Sequence, residues 1–118
     1  MGLWRSFGHA FRGFGLVLSR ERNARIHVVA AVGALVAAVW LGLDRAEVAL
    51  VVLAIVLVLA AEVVNSVVER LLDLVHPEHS ERVRAIKDMS AAAVLVTAIG
   101  ALAVAGVLLG PRLADACR

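Results

Sequence analysis

The sequence predicts an all-α membrane protein with one amphipathic surface helix and three transmembrane helices. The chain has 118 residues, of which 62% are hydrophobic, and its mean hydropathy is +0.91. Soluble domains are only about 45–50% apolar, and a soluble core of this size could not enclose so many apolar side chains. The apolar residues also fall into three long runs. We therefore expect residues 1–118 to form a single integral-membrane domain.

Residues 1–20 are expected to form a helix that lies on the membrane surface. Trp4, Phe7, Phe11 and Phe14 recur at steps of three and four residues, so they share one helical face. Basic residues flank this face, as is typical of interfacial helices. A helix in a soluble core would show the same periodicity, but this chain has little soluble core. We expect no cleaved signal peptide, because a continuous apolar stretch and a small-residue cleavage site are both missing.

Three apolar runs are long enough to cross a bilayer, which takes about 20 residues. The first run barely suffices, and Trp40 near its end suits a membrane interface. Pro77 interrupts the polar segment that follows the second run, and the Gly-Pro-Arg sequence at 110–112 is expected to end the third helix. The predicted spans are residues 26–43, 48–68 and 89–109.

Three spans place the two termini on opposite sides of the membrane, and the basic residues indicate which side is cytoplasmic. Arg and Lys accumulate in cytoplasmic segments. The side opposite the N-terminus holds only Arg45, Arg112 and Arg118 of the 12 Arg and Lys residues. The N-terminus and residues 69–88 should therefore face the cytoplasm. The net charge is only +2, so we expect no nucleic-acid partner.

The second span ends in a row of polar residues on one helical face, which we call the polar stripe. At 100° per residue, its five members fall within an arc of about 80°. They are Glu62, Asn65, Glu69, Asp73 and His76. Glu62 lies deepest, since residues 48–61 contain no polar side chain. A carboxylate inside a membrane helix is costly unless it is paired, so Glu62 is a functional candidate.

Two further polar clusters are expected on the same side of the membrane. Glu21 precedes the first span, and Lys87–Asp88 precedes the third. Carboxylates can hold Mg²⁺, and Lys or Arg can neutralise phosphate oxygens. Such groups at one interface favour phosphoryl transfer to a lipid headgroup. Asp73 and His76 could instead be ordinary interfacial residues, and the sequence leaves their roles open.

The motif that contains the polar stripe resembles the small prokaryotic diacylglycerol kinase family, which includes the undecaprenol kinases. The matching residues are Glu62-x-x-Asn65-x-x-x-Glu69-x-x-x-Asp73, followed by Lys87–Asp88 and the run SAAAV. The stretch ERNARIH at 21–27 is similar to the undecaprenol kinase branch. The resemblance covers nearly the whole chain. It implies a homotrimer in the bacterial inner membrane that uses MgATP to phosphorylate undecaprenol or diacylglycerol, with cytoplasmic active sites shared between subunits.

The resemblance also implies a role for each motif residue. Glu62 would be the catalytic base on the lipid hydroxyl, and Asn65 would bind the lipid substrate beside it. Mg²⁺ would be held by Glu21 and Glu69. The expected ATP-binding residues are His9, Glu21, Glu69, Glu78, Lys87 and Asp88. His9 departs from the family pattern, which often has tyrosine there, but it retains a ring that can stack on the nucleotide.

Two other classes of protein remain as alternatives. A small transporter or channel subunit would also use intramembrane acids, but its polar residues should then continue through 48–61, which is entirely apolar. A non-catalytic membrane assembly protein would leave the three polar clusters unexplained. An ordinary nucleotide-binding kinase is excluded because neither GxxxxGK[ST] nor GxGxxG occurs in the chain. The motif therefore favours a lipid kinase.

Overall fold

Four helices make up residues 2–118, the part of the chain that the computed structural model describes, and this part contains no β-strand. The helices are α1 (Leu3–Arg20), α2 (Arg22–Trp40), α3 (Arg45–Val75) and α4 (Glu81–Ala116). The last three are long and apolar enough to cross a membrane. The predicted class, an all-α membrane protein with one additional helix and three spanning helices, is confirmed.

The first helix presents an exposed aromatic face. Trp4, Phe7 and Phe11 are 86%, 51% and 75% exposed, which is unusual for large aromatic side chains. The backbone of Glu21 is extended and separates α1 from α2. The two helices therefore do not form one continuous helix. A helix with this exposed face beside three spanning helices suits the headgroup region of a bilayer.

The second and third spanning helices extend beyond the predicted spans on the side that carries the polar clusters. α3 continues past Val68 to Val75, and α4 begins at Glu81 instead of Met89. α3 has 31 residues, which corresponds to about 47 Å at 1.5 Å per residue. The hydrocarbon core of a bilayer is only about 30 Å thick. The polar segment between these spans is therefore mostly helical, and its charged side chains are carried on two packed helices.

The expectation that residues 110–112 end the third spanning helix is wrong, because α4 continues to Ala116 with Pro111 inside it. Proline removes one backbone hydrogen bond from a helix interior. Arg112, the next residue, forms a bidentate ion pair with Glu47 of α3, with distances of 2.7 Å to Oε2 and 2.9 Å to Oε1. This pair fixes the last turns of α4 on α3 despite the proline.

A tight turn joins α2 to α3 at the same end of the molecule. Gly42 has a φ of +74°, a conformation that glycine adopts without strain. Its N–H donates to Val39, and the N–H of Leu43 donates to Ala38, which together form a Schellman motif. Asp44 then begins α3 in a capping box with Glu47. Glu47, the second member of this capping box, is also the carboxylate that binds Arg112 of α4.

Packing is densest between α3 and α4, whereas α2 contacts α3 more than α4. A small core at the turn contains Ala38, Leu43, Val51 and Leu109. Elsewhere large apolar side chains on all three spanning helices remain exposed; Val29 and Leu102, for example, are both 73% exposed. Exposed apolar surface of this extent is covered by lipid or by other subunits.

Replacing Arg112 with glutamine should lower the midpoint of thermal unfolding by a few degrees, because the substitution removes the charge-assisted bonds between α3 and α4. The midpoint can be measured by circular dichroism on the purified protein in detergent. Arg118→Gln is the matched control, since Arg118 is exposed and its side chain forms no ion pair within residues 2–118. Equal midpoints for the two variants would contradict a role of the Glu47–Arg112 pair in holding the helices.

Candidate active site

The carboxylate of Glu62 is buried between α3 and α2. Glu62 is 4% exposed. His27, in the second turn of α2, places its Nε2 atom 3.1 Å from Oε1 of Glu62, which is within hydrogen-bonding distance. This contact gives a buried carboxylate the partner that it needs in an apolar environment. His27 is not among the predicted site residues, although an ionisable residue inside a predicted span is a functional candidate by the argument that identified Glu62.

Two polar side chains next to Glu62 lack partners. Ser66 follows Glu62 by one helical turn and is 1% exposed. Its Oγ atom and the Oδ1 atom of Asn65 are buried and have no hydrogen-bond partner within residues 2–118. Buried polar atoms are nearly always paired in native proteins, so these two atoms indicate a ligand or a neighbouring subunit. Asn65 is a predicted site residue. Ser66 is not, because a single small polar residue forms no pattern that marks it in the sequence.

The two predicted metal ligands lie on the side of Glu62 that leads to the charged end of α3. Glu69 follows Glu62 by two helical turns on the same face of α3. Glu21 lies at the junction of α1 and α2, and its Oε1 atom is 3.6 Å from Nη2 of Arg70. No three His, Cys, Asp or Glu side chains within residues 2–118 are grouped closely enough to hold a metal ion by themselves. Two carboxylates nevertheless suit Mg²⁺, which takes its remaining ligands from phosphate and water.

A second charged cluster lies where α3 and α4 approach the connection between them. The Nζ atom of Lys87 donates a hydrogen bond to Oδ1 of Asp73 over 2.7 Å. Lys87 and Asp88 also line a surface cavity of about 490 Å³ with His79 and Arg84. Asp73, whose role the sequence leaves open, is therefore the partner of a predicted ATP-binding residue.

Of the two remaining predicted ATP-binding residues, His9 lies in a pocket of its own, whereas Glu78 lies beside the second charged cluster, next to His79. His9 is exposed on α1 and lines a separate surface pocket with Arg5 and Arg12. Glu78 is exposed in the α3–α4 connection, where its backbone carbonyl lies 3.2 Å from Nδ1 of His76. One chain thus brings Glu62, Asn65, Glu21 and Glu69 together, but it does not join them to His9 in one pocket.

An apolar groove of about 310 Å³ lies between α2, α3 and α4. Alanines and branched aliphatic side chains line most of it, including Ala31, Ala54 and Ala101. His27 is the one ionisable side chain in its lining among the described residues. Because His27 also contacts Glu62, this groove and the buried carboxylate meet at one side chain.

Comparison with known proteins shows the family of this chain. Residues 8–109 match the family model described as prokaryotic diacylglycerol kinase. The chain belongs to the prokaryotic diacylglycerol kinase family. The matched range includes every predicted site residue, from His9 to Asp88.

Curated relatives in this family carry two different names. A diacylglycerol kinase of Synechocystis is 38% identical over 109 residues, which cover 92% of this chain and 62% of that protein. A diacylglycerol kinase of Escherichia coli K12 is 32% identical over 83% of this chain and 80% of its own length. An undecaprenol kinase of Bacillus subtilis is 32% identical over 81% of this chain and 78% of its own length. The chain therefore spans somewhat less than two thirds of the Synechocystis relative.

Replacing Ser66 with alanine should lower the free energy of unfolding by about 1 kcal/mol where a neighbouring subunit pairs with its buried hydroxyl, and should leave it unchanged where the partner is a ligand that the purified protein does not hold. Chemical denaturation of the purified protein measures this change. The matched control is Ser19→Ala, because the Ser19 hydroxyl donates to the Leu16 carbonyl and should lower stability slightly when removed. A loss of stability in the Ser66 variant that exceeds the loss in the control would show that Ser66 has a structural partner.

Proposed function

We propose that this protein is a lipid kinase that transfers the γ-phosphoryl group of ATP to the hydroxyl of a membrane lipid, undecaprenol or diacylglycerol. The observation that carries the proposal is the buried Glu62 carboxylate, whose partner His27 lines an apolar groove and whose helix carries Glu69 and Asp73 further along the same face. A lipid hydroxyl can reach this carboxylate from the groove, and a nucleotide can approach from the charged side. The names of the family and of the relatives support the same activity.

Glu62 acts as the catalytic base in this proposal. The lipid hydroxyl oxygen forms a bond to the γ-phosphorus, and the bond from that phosphorus to the β–γ bridging oxygen breaks. Its electron pair leaves with ADP, and the hydroxyl proton passes to the Glu62 carboxylate. Proton removal by a positioned side chain contributes typically 10²- to 10⁴-fold to a rate. Asn65 lies one residue before the buried Ser66, and its unpaired Oδ1 atom is available to hold the lipid headgroup beside Glu62.

The charged residues serve the nucleotide. Glu21 and Glu69 would hold Mg²⁺, which would supply positive charge next to the transferred phosphoryl group. Lys87 contacts the phosphates as a point charge. Its ammonium group has three donors, of which Asp73 uses one, so Asp73 can orient Lys87 while leaving donors for ATP. Asp88 borders the same surface cavity.

The active site is completed by neighbouring subunits in a homotrimer. Three observations support this arrangement: apolar side chains are exposed on all spanning helices, two buried polar atoms lack partners, and His9 and Glu78 lie away from Glu62 in one chain. A neighbouring subunit can supply each missing contact. Alanine-lined helix faces allow the close approach that such packing needs.

The protein lies in the bacterial inner membrane with its N-terminus and active site on the cytoplasmic side. The asymmetry of Arg and Lys supports this orientation, and ATP is available on that side. A transporter or channel subunit is not favoured, because the polar residues of α3 stop at Glu62 and residues 48–61 remain apolar. A continuous path for ions would need polar groups along that half of the helix.

Replacing Glu62 with glutamine should reduce phosphoryl transfer by about 100- to 10,000-fold, because an amide cannot take the hydroxyl proton. The assay follows transfer of labelled γ-phosphate from MgATP to undecaprenol and to diacylglycerol, side by side, in detergent micelles. The ratio of the two rates also identifies the preferred lipid.

Glu47→Gln is the control for this substitution, because it changes the same residue type at the opposite end of α3, where Glu47 holds Arg112. Measured below its unfolding midpoint, this variant should phosphorylate lipid at the wild-type rate. Wild-type activity in Glu62→Gln would remove Glu62 from the role of base. An inactive wild-type protein on both lipids would contradict the proposed kinase activity itself.

Replacing Asp73 with asparagine should raise the KM for ATP about two- to fivefold, the range expected for an exposed ion pair that positions a binding residue. The side chain of Asp73 is 68% exposed and that of Lys87 is 30% exposed, so a larger effect is not expected. Steady-state kinetics with varied ATP measures the change, and Asp115→Asn at the far end of α4 is the control. A lower KM in the Asp73 variant would mean that Asp73 competes with the nucleotide for Lys87.

A further inference from the structure

We propose that His27 is a positioning residue for phosphoryl transfer, with its Nε2–H donating to Oε1 of Glu62 so that Oε2 remains free to take the lipid proton. The inference rests on the proposed kinase activity and adds a residue to its machinery. His27 would not touch the reacting atoms. It would act by holding the carboxylate that does.

The contact is specific and lies inside the bundle. The Nε2 atom of His27 is 3.1 Å from Oε1 of Glu62, and the two side chains are 26% and 5% exposed. Among residues 2–118, no other cationic side chain pairs with Glu62, since the remaining ion pairs involve other carboxylates. Within residues 2–118, His27 is therefore the one side chain placed to hydrogen-bond the buried carboxylate.

The imidazole of His27 meets two requirements of a catalytic carboxylate in an apolar site. A carboxylate in an apolar environment is strongly disfavoured in its charged form unless it is paired or hydrogen-bonded. Glu62 must be ionised to accept a proton, and one of its oxygens must point to the substrate. A donor on Oε1 meets both needs, because it supports the charge and fixes the plane of the carboxylate.

The position of His27 also links the carboxylate to the lipid. His27 lines the apolar groove at the side where α2 begins, beside Ile26. A hydrocarbon chain in this groove therefore ends next to the ring whose Nε2 atom faces Glu62. The hydroxyl then meets Oε2, transfers its proton there, and forms its bond to the γ-phosphorus. The proton between Nε2 and Oε1 stays in place during this step, so no further donor or acceptor is required.

Two substitutions of similar volume test the inference. In His27→Gln the amide nitrogen can occupy the place of Nε2 and still donate to Glu62, whereas His27→Leu removes the donor. We expect the leucine variant to lose about 10- to 100-fold in kcat, the cost of a misplaced catalytic group, with the KM values for ATP and lipid within about twofold of wild type. The glutamine variant should stay within about threefold of the wild-type kcat.

The contrast between the variants separates positioning from packing. If His27 only filled space between α2 and α3, the two substitutions would reduce activity equally, and that result would overturn the inference. Wild-type kcat in His27→Leu would overturn it too. The double variant His27→Leu with Glu62→Gln should be no slower than Glu62→Gln alone, because a positioning residue has no effect once its carboxylate is gone. An additional loss would assign His27 a separate function.

A measurement on the native histidine covers the case in which the leucine variant does not fold. Nitrogen-15 NMR of the labelled imidazole in detergent should show a shift of the His27 Nε2 resonance in Glu62→Gln and no shift in Glu47→Gln. An unchanged resonance in both variants would contradict the contact. If the wild-type protein phosphorylated neither lipid while this shift was present, the kinase proposal would fail and the His27–Glu62 contact would stand.

Discussion

The buried carboxylate of Glu62 is the constraint on which the arrangement of these helices depends. An ionisable group inside an apolar span is costly unless a partner neutralises or hydrogen-bonds it. The partner comes from α2, through a contact of 3.1 Å from His27, although α2 otherwise packs less extensively than α4 against α3. The polar pair thus determines where α2 meets α3, and it leaves an apolar groove alongside. The buried pair and the groove meet at His27, which belongs to both.

α3 and α4 are long enough to carry charged residues beyond the hydrocarbon core. Both helices exceed the thickness of the hydrocarbon core, and the excess of α3 carries Glu69 and Asp73 on the same face as Glu62. Because Asp73 binds Lys87 on the start of α4, the charged residues are held by helical backbone and not by a loose loop. At the opposite end, Glu47 completes the capping box that Asp44 begins at the start of α3, and it also binds Arg112. Ion pairs at both ends thus supplement packing between helices whose surfaces are largely apolar.

Much of this could be predicted from the sequence, because its strongest patterns are physical ones. Long apolar runs predicted the spanning helices, and the spacing of Glu62, Asn65 and Glu69 predicted their common face. The missed features depend on contacts between helices. His27 lies on a different helix from the motif, and Ser66 follows Glu62 by one turn without being one of the motif residues. Both matter because of their tertiary surroundings: His27 contacts Glu62, and the Ser66 hydroxyl is buried without a partner among residues 2–118. The continuation of α4 past Pro111 was missed for a similar reason, since it depends on Glu47, far away in the sequence.

Within one chain, the residues proposed to act on the lipid lie apart from several of those proposed to bind the nucleotide. A lipid kinase must bring a hydroxyl that is confined to the bilayer to a nucleotide that is confined to water. Glu62 and the groove lie within the apolar part of the molecule, and Lys87, Asp88 and His9 lie on exposed surfaces. No single helix can span both environments and also enclose the reaction. Packing several copies side by side would cover the exposed apolar faces and bring the two kinds of surface together, so the incompleteness of one chain follows from the chemistry it is proposed to perform.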